Sequence, residues 1–504
     1  MMKRILGICA MLVIATGTVV HADEGSVNLS LKDAIRMAVE KNLDVQAELY
    51  NPAQAIADIG KYRGIYDPGL SILTSYQDST NLLSNSFTSG VGVSRQRNTQ
   101  FNAGINQLLP TGGTVGASLN NSWNHNNFIG ANTLNNYFQS NVTFSLDQPL
   151  LKNFGTETTE LNISVAKFGK ESARQQFRTK LLAIVSQVMT QYYQLYYLRE
   201  NLDVKRTSVK LAETILNNTN LQVQAGVLPA MEITNAEFGL ATQQKGVIDA
   251  EHAYRDQVDT LRYLLQMPPV TEIVPVDKPF RDPYKADEAE LVKKALALRP
   301  ELQQQRVALK TSELQARVAR NQVLPQVDLT ASAALGGLAP TYSRDLDRVV
   351  SGQYPVWTVG VQLSYPLGND AAENDYIKSR LKVDQTKVQI RSLEESIATD
   401  VRTSIRAVDS GYKQLDVTAR GRAYADQVLD AYIKKQRVGL ATTKDVLDEL
   451  NNQVIAKGNE IQALSDYNKA LTQLLMTTGE LFEREGISVN EKAMDALYDK
   501  AKNE

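Results

Sequence analysis

The sequence predicts an α+β protein of two structural repeats, each running helix, β-hairpin, long helix, helix. Two observations predict it. A helix-ending glycine with an acidic residue shortly after it occurs as Gly226 with Glu232 and again as Gly439 with Asp445, each member 213 residues from its counterpart. Prolines and apolar stretches also recur in order: Pro68 to Pro325 spans 257 residues, as does Ala38-Val39 to Ala295-Leu296. Pro149 to Pro366 spans only 217, so the first repeat carries 40 extra residues, where Pro110-Thr-Gly-Gly113 sits. That excess fits either an added hairpin or a large outer loop.

Residues 1–22 read as a signal peptide: Lys3 and Arg4 start it, Ile5 to Val20 is mostly apolar, and Val20-His21-Ala22 is the cleavage site. Cys9, the single cysteine, lies in this leader, so the mature chain offers no thiol for a disulfide, a metal or a nucleophile. Leu6-Gly-Ile-Cys9 could be a lipoprotein box, but the apolar run continues well past Cys9. The remaining chain exceeds one ordinary globular core. A net charge of −2 gives no general attraction to nucleic acid or anionic lipid. No later apolar run reaches the roughly eighteen residues of a membrane helix. Strands of a membrane β-barrel would escape such a scan.

The first repeat covers 23–266. Residues 29–65 read as helix, with Leu31, Ile35, Ala38 and Val39 on one stripe, until Asp67-Pro-Gly69 breaks it. Strands follow over about 70–148, rich in Asn, Ser, Thr and Gly. Apolar residues alternate at Phe101, Ala103, Ile105, at Val115, Ala117, Leu119, and at Val142, Phe144, Leu146; Pro110–Gly113 turns the first two runs into a hairpin. Long helices occupy about 156–266, with Leu181, Val185, Val188, Tyr192, Leu195 and Leu202 at coiled-coil spacing. The first of these helices would reach about 100 Å. A proline-rich connector, 267–286, ends the repeat.

The second repeat covers 287–485. Its first helix holds Arg299-Pro-Glu-Leu302, and its strands lie at about 326–365. Val327, Leu329 and Ala331 alternate with polar residues, as do Trp357, Val359, Val361, Leu363 and Tyr365. Long helices return over about 370–485, with Ile390, Leu393, Ile397, Val401, Ile405, Val408 and Tyr412 on one face. Between them Gly439 closes a helix in the left-handed conformation, and Thr442 with Asp445 starts the next in capping-box style. Residues 486–504 read as a loose, charged tail.

Two or three strands per repeat cannot close a barrel, and an open sheet edge is not tolerated in lipid. Several copies must share one barrel. One-sided helix stripes likewise need neighbours. The simplest object is a ring with a membrane β-barrel above a hollow helical tube, which conducts something.

The doubled plan, Arg299-Pro-Glu-Leu302, Tyr365-Pro-Leu-Gly368 and Val438-Gly-Leu through Asp445-Val-Leu-Asp448 resemble TolC-type outer-membrane efflux proteins over nearly all of the mature chain. The resemblance implies a homotrimer: a transmembrane β-barrel in outer-membrane lipid, continued by a periplasmic α-helical barrel. It implies docking to a periplasmic adaptor and an inner-membrane pump of the RND or ABC type, with no nucleic acid bound. The function implied is a passive export duct for small molecules or drugs, with no enzymatic activity, cofactor or metal. It further implies that Asp445 and Asp448, and less directly Glu232, ring the periplasmic entrance on tips built by Gly226, Gly439 and Thr442. Six carboxylates from three copies would favour cations and raise one another's proton affinity. The plainer reading is that Asp445 favours a helix N-terminus and Asp448 is solvated.

The chain departs from the family where Tyr and Arg lock the entrance: Gln436 and Ala441 stand there, leaving Arg437 or Lys444 to close it. Trp123, Trp357, Tyr76, Tyr137 and Tyr365 fit a membrane-interface girdle or ordinary packing. His125 and His252 have no ligand-like spacing around them. One rival function is a type I protein-secretion duct. Another is a structural coiled-coil protein of the cell envelope, which the strands at 139–148 and 357–365 argue against. An envelope enzyme would need a polar constellation, and the sequence shows no nucleophile–base set or phosphate-cradling loop.

Overall fold

The computed structural model describes residues 26–82, 93–127, 134–269, 271–285, 287–487 and 491–503, so the stretch read as a signal peptide, 1–22, lies outside the described residues. The elements run β1 (Ser26–Leu29), α1 (Leu31–Lys41), α2 (Leu43–Arg63), β2 (Gly69–Leu82), β3 (Val93–Leu108), β4 (Thr114–Asn126) and β5 (Asn136–Pro149). Then come α3 (Thr156–Thr159), α4 (Leu161–Gln224), α5 (Met231–Leu265), β6 (Glu272–Pro275), α6 (Glu288–Leu298), α7 (Pro300–Gln322) and β7 (Gln326–Ala339). The chain continues as α8 (Tyr342–Ser351), β8 (Pro355–Ser364), α9 (Asp370–Arg437), α10 (Thr443–Thr478), α11 (Leu481–Arg484) and α12 (Glu491–Asn503). They form two compact units: a helical one, of residues 26–43, Ile184–Lys285 and Arg406–Gln473, and one that contains the large sheet.

The sheet has strand order β2-β3-β4-β5-β7-β8, every neighbouring pair antiparallel. Four of the described strands come from 69–149 and two from 326–364, so the first stretch supplies two more strands than the second. The hairpin at Pro110–Gly113 forms as expected: Leu109 N–H donates to the Gly113 carbonyl at 2.7 Å, and Gly112 takes φ +88°. Because side chains alternate along a strand, the register sorts them by face. One face carries Leu70, Ile72, Ile105, Leu119, Val142, Phe144, Leu335, Trp357, Val359 and Leu363. The other carries Asn98, Asn102, Asn120, Asn124, Asn141, Ser332 and Gln362. Asparagine pairs tie the polar face across strands, Asn98 to Asn124 at 2.7 Å and Asn120 to Asn141 at 2.9 Å. Helix α8 lies on the apolar side, where its buried Asp345 accepts the Ser140 hydroxyl and Tyr342 packs on Phe138. Gly337 leaves room for the Asp345 backbone there; a Cβ would collide with it.

In the helical unit the proline-rich connector is strapped down. Its β6 pairs in parallel with β1, and the Tyr192 hydroxyl donates to Leu29 O at 3.0 Å while accepting Asp277 N–H at 3.1 Å. Tyr467 does the same further along, donating to Asp282 O at 2.7 Å and accepting Tyr284 N–H at 3.2 Å. Burial pushes the Tyr192 hydroxyl up to about 12.

Three expectations change. The stretch 29–65 is two helices, because the Asn42 side chain turns away to donate to Leu264 O at 2.9 Å and the chain at Asn42 is extended. The coiled-coil seam does not wait for other copies: Leu181, Val185, Val188, Tyr192, Leu195 and Leu202 are all buried within one chain, as are Ile397, Val401 and Val408. Residues read as a loose tail form α12, where Met494 is buried and Asp495 pairs with Lys170 at 3.2 Å.

Candidate functional site

The two tips, α4 to α5 and α9 to α10, lie in the helical unit and end their incoming helices identically. Gly226 and Gly439 take φ +72° and +76°. Val227 N–H donates to Gln222 O and Gly226 N–H to Val223 O; Leu440 N–H donates to Lys435 O and Gly439 N–H to Gln436 O. These pairs are the Schellman closure, which needs a left-handed residue and so favours glycine. Nothing lies within 4 Å of a Cβ at either glycine, so conformation rather than space selects the residue.

The outgoing helices start differently. Helix α10 has the expected capping box: Thr442 N–H donates to Asp445 Oδ2 at 2.8 Å and Asp445 N–H donates to Thr442 Oγ1 at 3.1 Å. The Thr442 backbone N–H first, and its hydroxyl second, hold the Asp445 carboxyl below its ordinary value of 3.8. Helix α5 has no side-chain cap of its own. Its Glu232, although in Asp445's position of the pattern, reaches across to accept Thr443 N–H at 3.0 Å. Asp448 is exposed one turn further on.

Beneath the tips Ala212, Ile215, Leu429, Val446, Leu447, Leu450 and Val454 form a buried cluster that fixes these starts. Gln436 donates from Nε2 to the Thr443 hydroxyl at 3.2 Å, a bond the sequence reading did not foresee. Arg437 and Ala441 take no such part: Arg437 points to solvent, and Ala441 offers only its backbone. Missed as well were the exposed apolar residues of the tips, Val227, Met231, Val438 and Leu440. Their signal was the unusual apolar content of two turns. Among the described residues no group of three His, Cys, Asp or Glu could hold a metal, and no helix is long and apolar enough to cross a membrane.

The aromatic candidates divide by face. Tyr76, Trp123 and Trp357 sit on the apolar face of the sheet and are exposed, whereas Tyr137 stands opposite Asn124 on the polar face. His252 is exposed on α5 beside Asp256, and His125 bonds Asn136.

Sequence comparison matches the outer membrane efflux protein family over residues 114–265 and 291–480. The chain belongs to that family. Outer membrane efflux protein BepC of Brucella suis is 21% identical over 347 residues, 68% of this chain and 72% of BepC. Pyoverdine export outer membrane protein OpmQ of Pseudomonas aeruginosa is 24% identical over 286 residues, 56% of this chain and little more than half, 58%, of OpmQ. The Campylobacter jejuni CmeC outer membrane channel has the same fold, with TM-score 0.65 at 16% identity over 93% of this chain and 89% of CmeC. This outer-membrane efflux protein thus brings its tip residues Gly226, Glu232, Gly439, Thr442, Asp445 and Asp448 onto two facing helix ends, joined by the Glu232–Thr443 bond.

Proposed function

We propose that three copies form a passive export duct, opened by a periplasmic adaptor and driven by an inner-membrane pump of the RND or ABC type, for small molecules or drugs. The observation that carries this is the six-stranded sheet with one apolar and one polar face and two outer strands, β2 and β8, unpaired among the described residues. Such edges are untenable in lipid, where every backbone group must find a partner. Because six is even, β8 of one copy and β2 of the next run in opposite directions, so copies can add antiparallel strands until the ring closes. Three copies give eighteen strands, about 35 Å across, in the range that leaves an open aqueous channel. The polar asparagine face then lines the lumen and the apolar face meets lipid.

The chain is read as two repeats, the first with an added hairpin. Helix α9 keeps an exposed apolar series, Ile377, Leu381 and Val388, then Val417, Tyr424 and Val428, at helical spacing. It fits a neighbouring copy on the periplasmic side. Val227, Met231, Val438 and Leu440 offer an apolar tip surface for the adaptor. Asp445 and Asp448 of three copies ring the entrance, with Glu232 beside them. The test is single-channel recording of the purified mature protein in planar bilayers, beside its mass in detergent. Discrete cation-preferring steps from a trimer are expected; a monomer without conductance would return the chain to the structural coiled-coil class.

A further inference from the structure

The apolar face of the sheet ends, on β2 to β4, in a basic row. Residues facing that side run Leu70, Ile72, Thr74, Tyr76 on β2 and Ile105, Ala103, Phe101, Thr99 on β3, then turn charged, with Asp78 opposite Arg97 and Thr80 opposite Arg95. Strand β4 continues both levels: Trp123 opposite Thr99, and His125 opposite Arg97. A row of Tyr76, Trp123 and Phe138 therefore lies one step inside a row of Asp78, Arg97 and His125.

One carboxylate serves two guanidiniums. Asp78 accepts from Arg95 at 2.7 Å and from Arg97 at 3.2 Å, which leaves a net positive charge and unused N–H donors. The Arg95 and Arg97 side chains stay 50% and 37% exposed, so those donors are open to a ligand. Asn127 fixes the Arg95 backbone, accepting its N–H at 2.8 Å. Further inside on the same face, at the Thr74–Phe101–Asn121–Ser140 level, amphipathic α8 is held by Asp345 on Ser140 and leaves Arg344 and Val350 exposed.

We propose that Arg95 and Arg97 bind the phosphate of an anionic lipid headgroup at the outer rim of the barrel. The proposal rests on the reading that the apolar face meets lipid. Aromatic side chains gather where hydrocarbon gives way to headgroups. One step beyond them is headgroup level, and a guanidinium fork matches phosphate oxygens bidentately. Net positive charge without a free carboxylate is the complement of a lipid phosphate, not of a zwitterionic surface.

The test is native mass spectrometry of the full chain released from dodecyl maltoside, with bisphosphorylated lipid A added. Wild type should retain lipid A adducts, and R95Q/R97Q should lose them by about tenfold, while R95K/R97K keeps part of the binding. Phosphatidylcholine and dephosphorylated lipid A should bind weakly to all three. Equal retention by R95Q/R97Q would overturn the site, and so would displacement of lipid A by inorganic phosphate, which would mark a small-anion site. The same samples go into planar bilayers. Intact conductance with unchanged adducts sinks this proposal alone, whereas no conductance from wild type sinks the membrane reading and the lipid site together.

Discussion

Glu232 and Thr443 join the two tips: the carboxylate of one accepts the backbone N–H of the other at 3.0 Å, across 211 residues of chain. Thr443 is fully buried, so without Glu232 its N–H has no water to turn to. Glu232→Ala should cost about 1 kcal/mol, the scale of a lost helix cap, and Glu232→Gln much less. Hydrogen exchange over residues 440–446 would read it. Equal protection in wild type and Glu232→Ala would mean that the two tips hold independently.

The capping box adds a pH dependence. Asp445 is held below 3.8 in the folded chain, chiefly by the Thr442 N–H. A depressed folded value contributes stability that is present above the unfolded value and lost as pH falls through the folded one. The start of α10 should therefore loosen below about pH 4. Asp445→Asn, which keeps an acceptor but no charge, should flatten that response. Amide exchange of residues 443–446 between pH 6 and pH 3 measures it, and an unchanged profile in Asp445→Asn would rule the carboxylate out.

If the tip carboxylates ring an entrance, they should bind multivalent cations. Asp445 already spends lone pairs on Thr442, whereas Asp448 is exposed and free to face a pore. Asp448→Ala should thus relieve cation block in bilayer recordings without lowering the melting temperature. Asp445→Ala should relieve block and also loosen the start of α10, because the Thr442 N–H loses its acceptor. Block that survives both changes would leave Asp445 as a cap and Asp448 as solvated surface.

What could be read from the sequence was local and periodic. Gly226, Gly439 and the Thr442–Asp445 pair announce themselves because a left-handed closure and a capping box are short-range chemistry. The alternation at Val142, Phe144 and Leu146 specified a strand and its face. Pairings between distant segments were not legible: Gln436 with Thr443 looks like any polar residue near a turn, and Glu232 matches Asp445 in spacing yet bonds elsewhere. The connector's proline content marked it as a link but not what orders it: Tyr192 and Tyr467, far away in sequence, supply the hydroxyls that do. The helix seams were visible; which surface buries them was not.

That last point changes what a charged substitution tests. Val188 and Val401 are both 0% exposed within a single chain. Lysine at either would bury an unpaired ammonium, at a cost of several kcal/mol, so Val188→Lys and Val401→Lys should lower the yield of folded chain. Val417 is 62% exposed, in the apolar series that α9 leaves uncovered. Val417→Lys should keep the melting temperature of the monomeric fold and weaken assembly instead. Native gels and circular dichroism separate the two effects. Full assembly by Val417→Lys would show that this series faces solvent, and normal folding of Val401→Lys would show that its burial is not maintained in solution.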